Sequence, residues 1–154
     1  MVDRAYFSEE QRFRQAWLWA GLAASSALSL KRWRRRGGWV PGLEALASVA
    51  SVGWFAWGRL VVRVEPEALE VRFTPFVRRR VPLGEISSWQ VVTYRPVRDY
   101  GGWGIRWRPG GWAYTVSGDR GVRVRLKDGR EILVGSRRPE ELADAIARAK
   151  GEKV

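Results

Sequence analysis

Hydrophobic positions fall into two patterns along the chain. Ala16 to Leu30 and Leu43 to Leu60 are long apolar runs, whereas from Val61 onward apolar residues alternate with polar ones in short blocks separated by Gly, Pro and Asp. The first pattern predicts helices and the second half-buried strands. No charge interrupts Ala45 to Gly58, and with the flanks Val40 to Leu43 and Arg59 to Val62 the run reaches about 20 residues, the length that crosses a bilayer. A helix buried in a soluble bundle is the alternative, although no third or fourth amphipathic helix is evident to bury it. Ala16 to Leu30 is short for a span; Arg14 and Lys31 can snorkel from its ends, and a signal-anchor fits nearly as well. Glycines Gly37 and Gly38 suit a turn between the two arms. The expected membrane-interface residues are Trp17, Trp19, Lys31, Arg32, Arg34, Arg35, Arg36, Trp39, Trp54, Trp57 and Arg59.

The flanks complete the division. Residues 1–15 form a polar segment in which Ser8-Glu9-Glu10-Gln11 has the form of a helix cap, residues 16–60 the hairpin, and residues 61–154 a β domain. Within the last, Val61 to Glu65 and Leu69 to Phe73 read as the first two strands, Phe76 to Val81 and Ile86 to Tyr94 as the next two. Gly104 to Trp107 and Trp112 to Val116 flank Arg108-Pro109-Gly110-Gly111. Asp128-Gly129 supplies a tight turn between Gly121 to Leu126 and Glu131 to Val134. The chain closes on a helix. Pro139 suits its first position, Glu140 and Glu141 sit at its positive end, and Leu142, Ala145, Ile146 and Ala149 make one apolar stripe.

Charge changes the picture only modestly. The formal net charge is +12, spread over both halves of the chain, and 24 of the 28 basic residues are arginine. Anionic lipid or nucleic acid is attracted by such a balance, but a GC-rich genome produces the same bias. The five cations of Lys31 to Arg36 argue for a cytoplasmic loop and so for an external β domain, against Arg4, Arg12, Arg14, Arg59, Arg63 and Arg72, which roughly balance them. Absence of His and Cys removes the usual metal ligands, the usual general base and the thiol nucleophile. The carboxylates form no motif, and Gly101-Gly102-Trp103-Gly104 lacks the helix and Lys of a phosphate loop. No catalytic residue, metal or cofactor is expected.

One dense cluster remains. Tyr94, Arg95, Arg98, Tyr100, Trp103, Arg106, Trp107, Trp112 and Tyr114 lie close together with Arg108, the residue types that dominate interface hot spots. They form either a partner-binding surface or a twisted hairpin whose alternate aromatics are core; lipid is a lesser possibility, and nucleic acid is not the expected partner.

Seven or eight antiparallel strands followed by an amphipathic helix is the element order of a pleckstrin-homology-like barrel; a generic curled antiparallel sheet capped by a helix is the fallback. The run Asp99-Tyr100-Gly101-Gly102-Trp103-Gly104-Ile105-Arg106, with Tyr94-Arg95-Pro96, Ala113-Tyr114-Thr115-Val116-Ser117-Gly118 and Pro139-Glu140-Glu141, resembles a family of short, uncharacterised bacterial membrane proteins. Members of that family carry two membrane helices and a C-terminal bacterial pleckstrin-homology-type domain. Thr115 stands where that family usually carries Asn. The resemblance implies an inner-membrane protein with a cytoplasmic β domain, and it supplies no activity. Phosphoinositide recognition is not expected, because Glu65-Pro66-Glu67 puts carboxylates in the loop where such domains use cations.

The fold expected is therefore an α+β membrane protein: an N-terminal two-helix transmembrane hairpin, then an antiparallel pleckstrin-homology-like β-barrel capped by a C-terminal helix. The function expected is a membrane-anchored, non-catalytic adaptor or accessory subunit working through protein–protein interaction. Its partners would be the lipid bilayer and a membrane-protein complex, with homo-oligomerisation left open. The alternative is a peripheral sensor of anionic lipid headgroups working through the basic patches.

Overall fold

A computed structural model describes residues 5–151; Arg4, counted in the charge balance above, lies outside them. The chain divides into two compact units, Phe13–Gly58 and a β unit made from the chain up to Arg12 together with Arg59 onward.

In the first unit, helices α1 (Ala16–Arg36) and α2 (Trp39–Trp57) form a hairpin. Gly37 and Gly38, at φ 60° and 93°, make the reversal between them in a region closed to most side chains. Trp33 lies over Gly42, where a Cβ would come within 3.2 Å of the indole nitrogen. Ser26 and Ser48 hydrogen-bond across the helices at 3.1 Å, and Phe13 meets Phe55 edge to face at 5.0 Å.

No helix among the described residues is long and apolar enough to cross a membrane. This overturns the transmembrane hairpin expected over 16–60, and with it the inner-membrane location. The reason is visible in the helices. The last six residues of α1 include five cations, and α2 carries Pro41, Gly42, Glu44, Ser48 and Ser51 along its length. Lys31, Arg32, Arg34, Arg35 and Arg36 lie in the final turns of α1, where positive charge complements the helix dipole. Of the tryptophans assigned to an interface belt, Trp17, Trp39, Trp54 and Trp57 are exposed. Trp19 is half-buried and donates to the Phe13 carbonyl at 3.1 Å. Arg59 belongs instead to the β unit, 3.7 Å from Glu10.

Among the described residues the β unit holds nine strands in two sheets, and neither sheet closes into a barrel. One sheet has the order β1-β2-β3-β4, from β1 (Phe7–Arg12), β2 (Arg59–Val64), β3 (Ala68–Thr74) and β4 (Val77–Pro82). The other has the order β5-β8-β9-β7-β6, from β5 (Ile86–Thr93), β6 (Gly104–Arg108), β7 (Gly111–Thr115), β8 (Arg120–Leu126) and β9 (Glu131–Gly135). A five-residue helix α3 (Pro96–Tyr100) follows β5, and α4 (Pro139–Ala149) ends the unit. An all-antiparallel barrel is corrected on two counts. The sheets end in free edges, and β7 pairs with β9 in parallel.

Alternation decides the packing. Leu60, Val62, Val64, Leu69, Val71 and Phe73 line the inner face of the first sheet, and Ile86, Val122, Val124, Ile132 and Val134 that of the second; all are buried. Helix α4 packs on β1 and β2 of one sheet and β5 and β8 of the other, burying Leu142, Ala145 and Ile146 completely. Each of its two large aliphatics contributes about 2 kcal/mol of hydrophobic stabilisation.

Strand β1 departs from the helix cap read at Ser8 to Gln11. It lies antiparallel on β2 and turns Phe7, Glu9 and Gln11 inward, against Val64, Val62 and Leu60. The two polar side chains are satisfied by the far end of the chain. Gln11 Nε2 donates to the Gly135 carbonyl at 2.8 Å. Glu9 accepts from Ser136 Oγ at 2.5 Å and from the Arg137 amide at 3.0 Å. These bonds join the first sheet to the turn that leads from β9 into α4.

On the outer face of the first sheet, Glu70 has a side chain only 4% exposed beneath Arg72, at 3.1 Å, and Arg78. Burial disfavours its charge, but the two guanidinium groups outweigh burial and hold its pKa below the usual carboxylate value.

Candidate interaction surface

The aromatic and arginine cluster folds as a lobe between β5 and β8. Pro96 presets the first turn of α3, and the Asp99 carboxylate accepts from the Arg95 amide at 2.8 Å. Gly101, at φ 68°, ends the helix in the left-handed conformation that glycine adopts without strain. Trp103 then donates to the Gly118 carbonyl at 3.0 Å, tying the start of β6 to the segment after β7. Pro109 and Gly110 make the two-residue turn between β6 and β7, with Arg108 opposite Gly111. A Cβ at Gly111 would lie 1.9 Å from the Glu131 carbonyl oxygen, so only glycine lets β7 approach β9 here.

Burial sorts the nine candidate residues. Tyr94 and Tyr114 are buried, at 4% and 2% exposure, and belong to the core. Tyr94 packs with Ala113 and Leu133, and its ring meets Tyr100 edge to face at 5.9 Å. Burial pushes the Tyr94 hydroxyl pKa upward, and the nearby Asp119 and Tyr100 push it further. Its hydroxyl and that of Thr115 lie near one another, but neither makes a hydrogen bond within ordinary geometric limits.

Other members are exposed or half-buried. Trp107 and Trp112 are cross-strand partners, 64% and 39% exposed. Arg95, Arg98 and Arg106 are exposed, and Trp103 and Tyr100 are half-buried. Arg108, which the surface also recruits, places its guanidinium 5.1 Å above the Tyr100 ring. Beside this stack lies a cleft of about 340 Å³ whose lining includes Tyr100, Arg108, Trp112, Arg123 and Glu131. Arg123 and Glu131 escaped the sequence reading because β8 and β9 bring them to the lobe from outside the cluster. The parallel pairing of β9 with β7 is what delivers Glu131.

Charge compensation separates this lobe from much of its surroundings. Arg12, Arg59, Arg72, Arg78, Arg80, Arg120, Arg123, Arg125, Arg130 and Arg138 each meet a carboxylate. Among the described residues no such pair involves Arg95, Arg98, Arg106 or Arg108. No cluster of three carboxylates suited to a metal ion occurs among the described residues.

No protein-family model matches the chain, and no curated protein matches it.

Proposed function

We propose that the protein is a non-catalytic interaction module whose α3, β6 and β7 lobe docks an acidic partner protein. One observation carries the reading: exposed indoles at Trp107 and Trp112 stand in the same lobe as four arginines that pair with no carboxylate among the described residues. Indole and guanidinium groups supply most of the binding energy in protein interfaces, and uncompensated cations select an anionic partner and speed its approach. The missing His and Cys support a binding role over a catalytic one.

The test is co-purification of tagged full-length protein from its own host under a high-salt wash. A stoichiometric protein partner should stay with the wild type and be lost from Trp107→Ala/Trp112→Ala, whose thermal midpoint should be unchanged. Truncating two central aromatics costs about 2 kcal/mol or more each at a hot spot. Retention of the partner by the variant would overturn the reading. Recovery of the protein alone, with salt-sensitive binding to anionic vesicles, would favour a sensor of anionic surfaces instead.

A further inference from the structure

Resting on that reading, we infer that β6 accepts a strand from the partner, and that this incoming strand alternates acidic and apolar residues. Strand β6 is outermost in its sheet. Arg108 and Gly111 flank the two-residue turn, so Arg106 with Ala113 and Gly104 with Thr115 are the other pairs that exchange backbone hydrogen bonds with β7. The N–H and C=O groups of Ile105 and Trp107 therefore point away from β7, and among the described residues no other segment bonds to them. These groups are the template that an added strand uses.

The other sheet edges are blunted. Strand β5 carries an irregularity between Ile86 and Ser88, and Lys150 donates to the Ile86 carbonyl at 2.7 Å. Strand β4 ends in Pro82, and β1 turns the charged Glu9 inward while Arg138 donates to its Ser8 carbonyl at 3.1 Å. From Gly104 to Arg108 there is neither bulge nor proline.

Side-chain alternation then specifies the guest. Ile105 and Trp107 share a face with their cross-strand partners Tyr114 and Trp112, while Arg106 and Arg108 project to the opposite face beside Tyr100. A strand laid along β6 offers every second residue to the indoles and the rest to the guanidinium groups. The first set must be apolar and the second acidic. A second copy of β6 is disfavoured as the guest, because antiparallel pairing would set arginines against arginines.

Fluorescence anisotropy on the full-length protein reads this directly, with a short labelled peptide that alternates glutamate and valine as probe. Controls are a peptide of the same composition with its glutamates and valines in separate blocks, and two forms N-methylated on one or the other set of alternate amides. The alternating peptide should bind at least about tenfold more tightly than the blocked one, because the blocked order sets carboxylates against the indoles and valines against the guanidinium groups while leaving the backbone hydrogen bonds unchanged. One methylated form should lose binding while the other keeps it, and Arg106→Glu/Arg108→Glu should abolish it. Equal binding of alternating and blocked peptides, or of both methylated forms, overturns strand addition and leaves docking at the lobe intact. No binding of the alternating peptide also overturns it; the co-purification test then decides separately whether the lobe docks a folded acidic surface. If Trp107→Ala/Trp112→Ala keeps its partner there too, both inferences fall.

Discussion

The inward carboxylate of Glu9 gives a direct measure of how firmly the N-terminal strand is built into the β unit. Its two oxygens accept from different donors, Ser136 Oγ and the Arg137 amide, and Ser136 Oγ in turn accepts from the Arg138 amide at 3.0 Å. Glu9→Gln keeps shape and volume but replaces one acceptor oxygen by an amino group facing a donor. The Ser136 hydroxyl can rotate to accept from that amino group, so both charge-assisted bonds become neutral ones. With bonds to charged groups contributing about 1.5–3 kcal/mol and neutral ones about 1, the cost is about 2 kcal/mol. For a unit of this size that lowers the thermal midpoint by about 10 °C. Thermal unfolding followed by circular dichroism supplies the number, and Ser136→Ala with the double variant isolates the pair. A coupling energy of about 1 kcal/mol is expected between Glu9 and Ser136. A Glu9→Gln midpoint equal to the wild type, or strictly additive single variants, would refute the claim that this residue ties β1 to the turn between β9 and α4.

Two further outcomes follow from buried polar groups. Glu70 has a folded pKa below its unfolded value, so its stabilising contribution is full above the unfolded pKa and is lost as pH falls through the folded one. Glu70→Gln should therefore cost about 1 kcal/mol at neutral pH and nothing in strong acid, because Arg72 and Arg78 are well exposed and resolvate when the charge is removed. Chemical denaturation at several pH values checks this; a cost independent of pH would contradict it. Tyr94→Phe removes a buried hydroxyl that lacks a well-aligned partner and should be neutral or stabilising by up to about 1 kcal/mol. A marked loss of stability would show that the Tyr94 hydroxyl makes a strong bond in solution.

Much of the β unit was legible because its signals are local. The alternation of Leu69, Val71 and Phe73, the Asp128-Gly129 turn and the apolar stripe of Leu142, Ala145 and Ile146 each lie within a few residues of one another. Strand β1 was not legible. Two of its three inward positions are the polar Glu9 and Gln11, and the groups that satisfy them lie more than 120 residues away. The parallel β7 to β9 ladder was hidden in the same manner, since the glycines at 110 and 111 read as an ordinary turn and only the approach of the Glu131 carbonyl explains why Gly111 has no side chain. In the hairpin unit the helices were readable but their passage through a bilayer was an overreading, since serines and a cationic end dilute α1, and proline, glycine, serine and Glu44 dilute α2. At the lobe, composition revealed the cluster but not its division. Tyr94 and Tyr114 are buried while Trp107 and Trp112 are exposed, although Trp107 and Trp112 share a face with Tyr114; the difference comes from their place beside the β6–β7 turn rather than from alternation or residue type.

The chain enters and leaves the lobe at neighbouring points. Thr93 and Arg120 are register partners at the ends of β5 and β8, and the Tyr94 amide donates to the Asp119 carbonyl at 2.7 Å just beyond them. The chain between these residues is thus a cassette inserted at the mouth of an existing hairpin, whose ladder needs nothing from it. Shortening or exchanging the cassette would uncover the β9 edge and Leu133, but it would leave the β5 to β8 pairing in register. Such an arrangement lets the exposed positions of the cassette, Trp107, Trp112 and its arginines, diversify while Tyr94, Ala113 and Tyr114 keep it tied to the core.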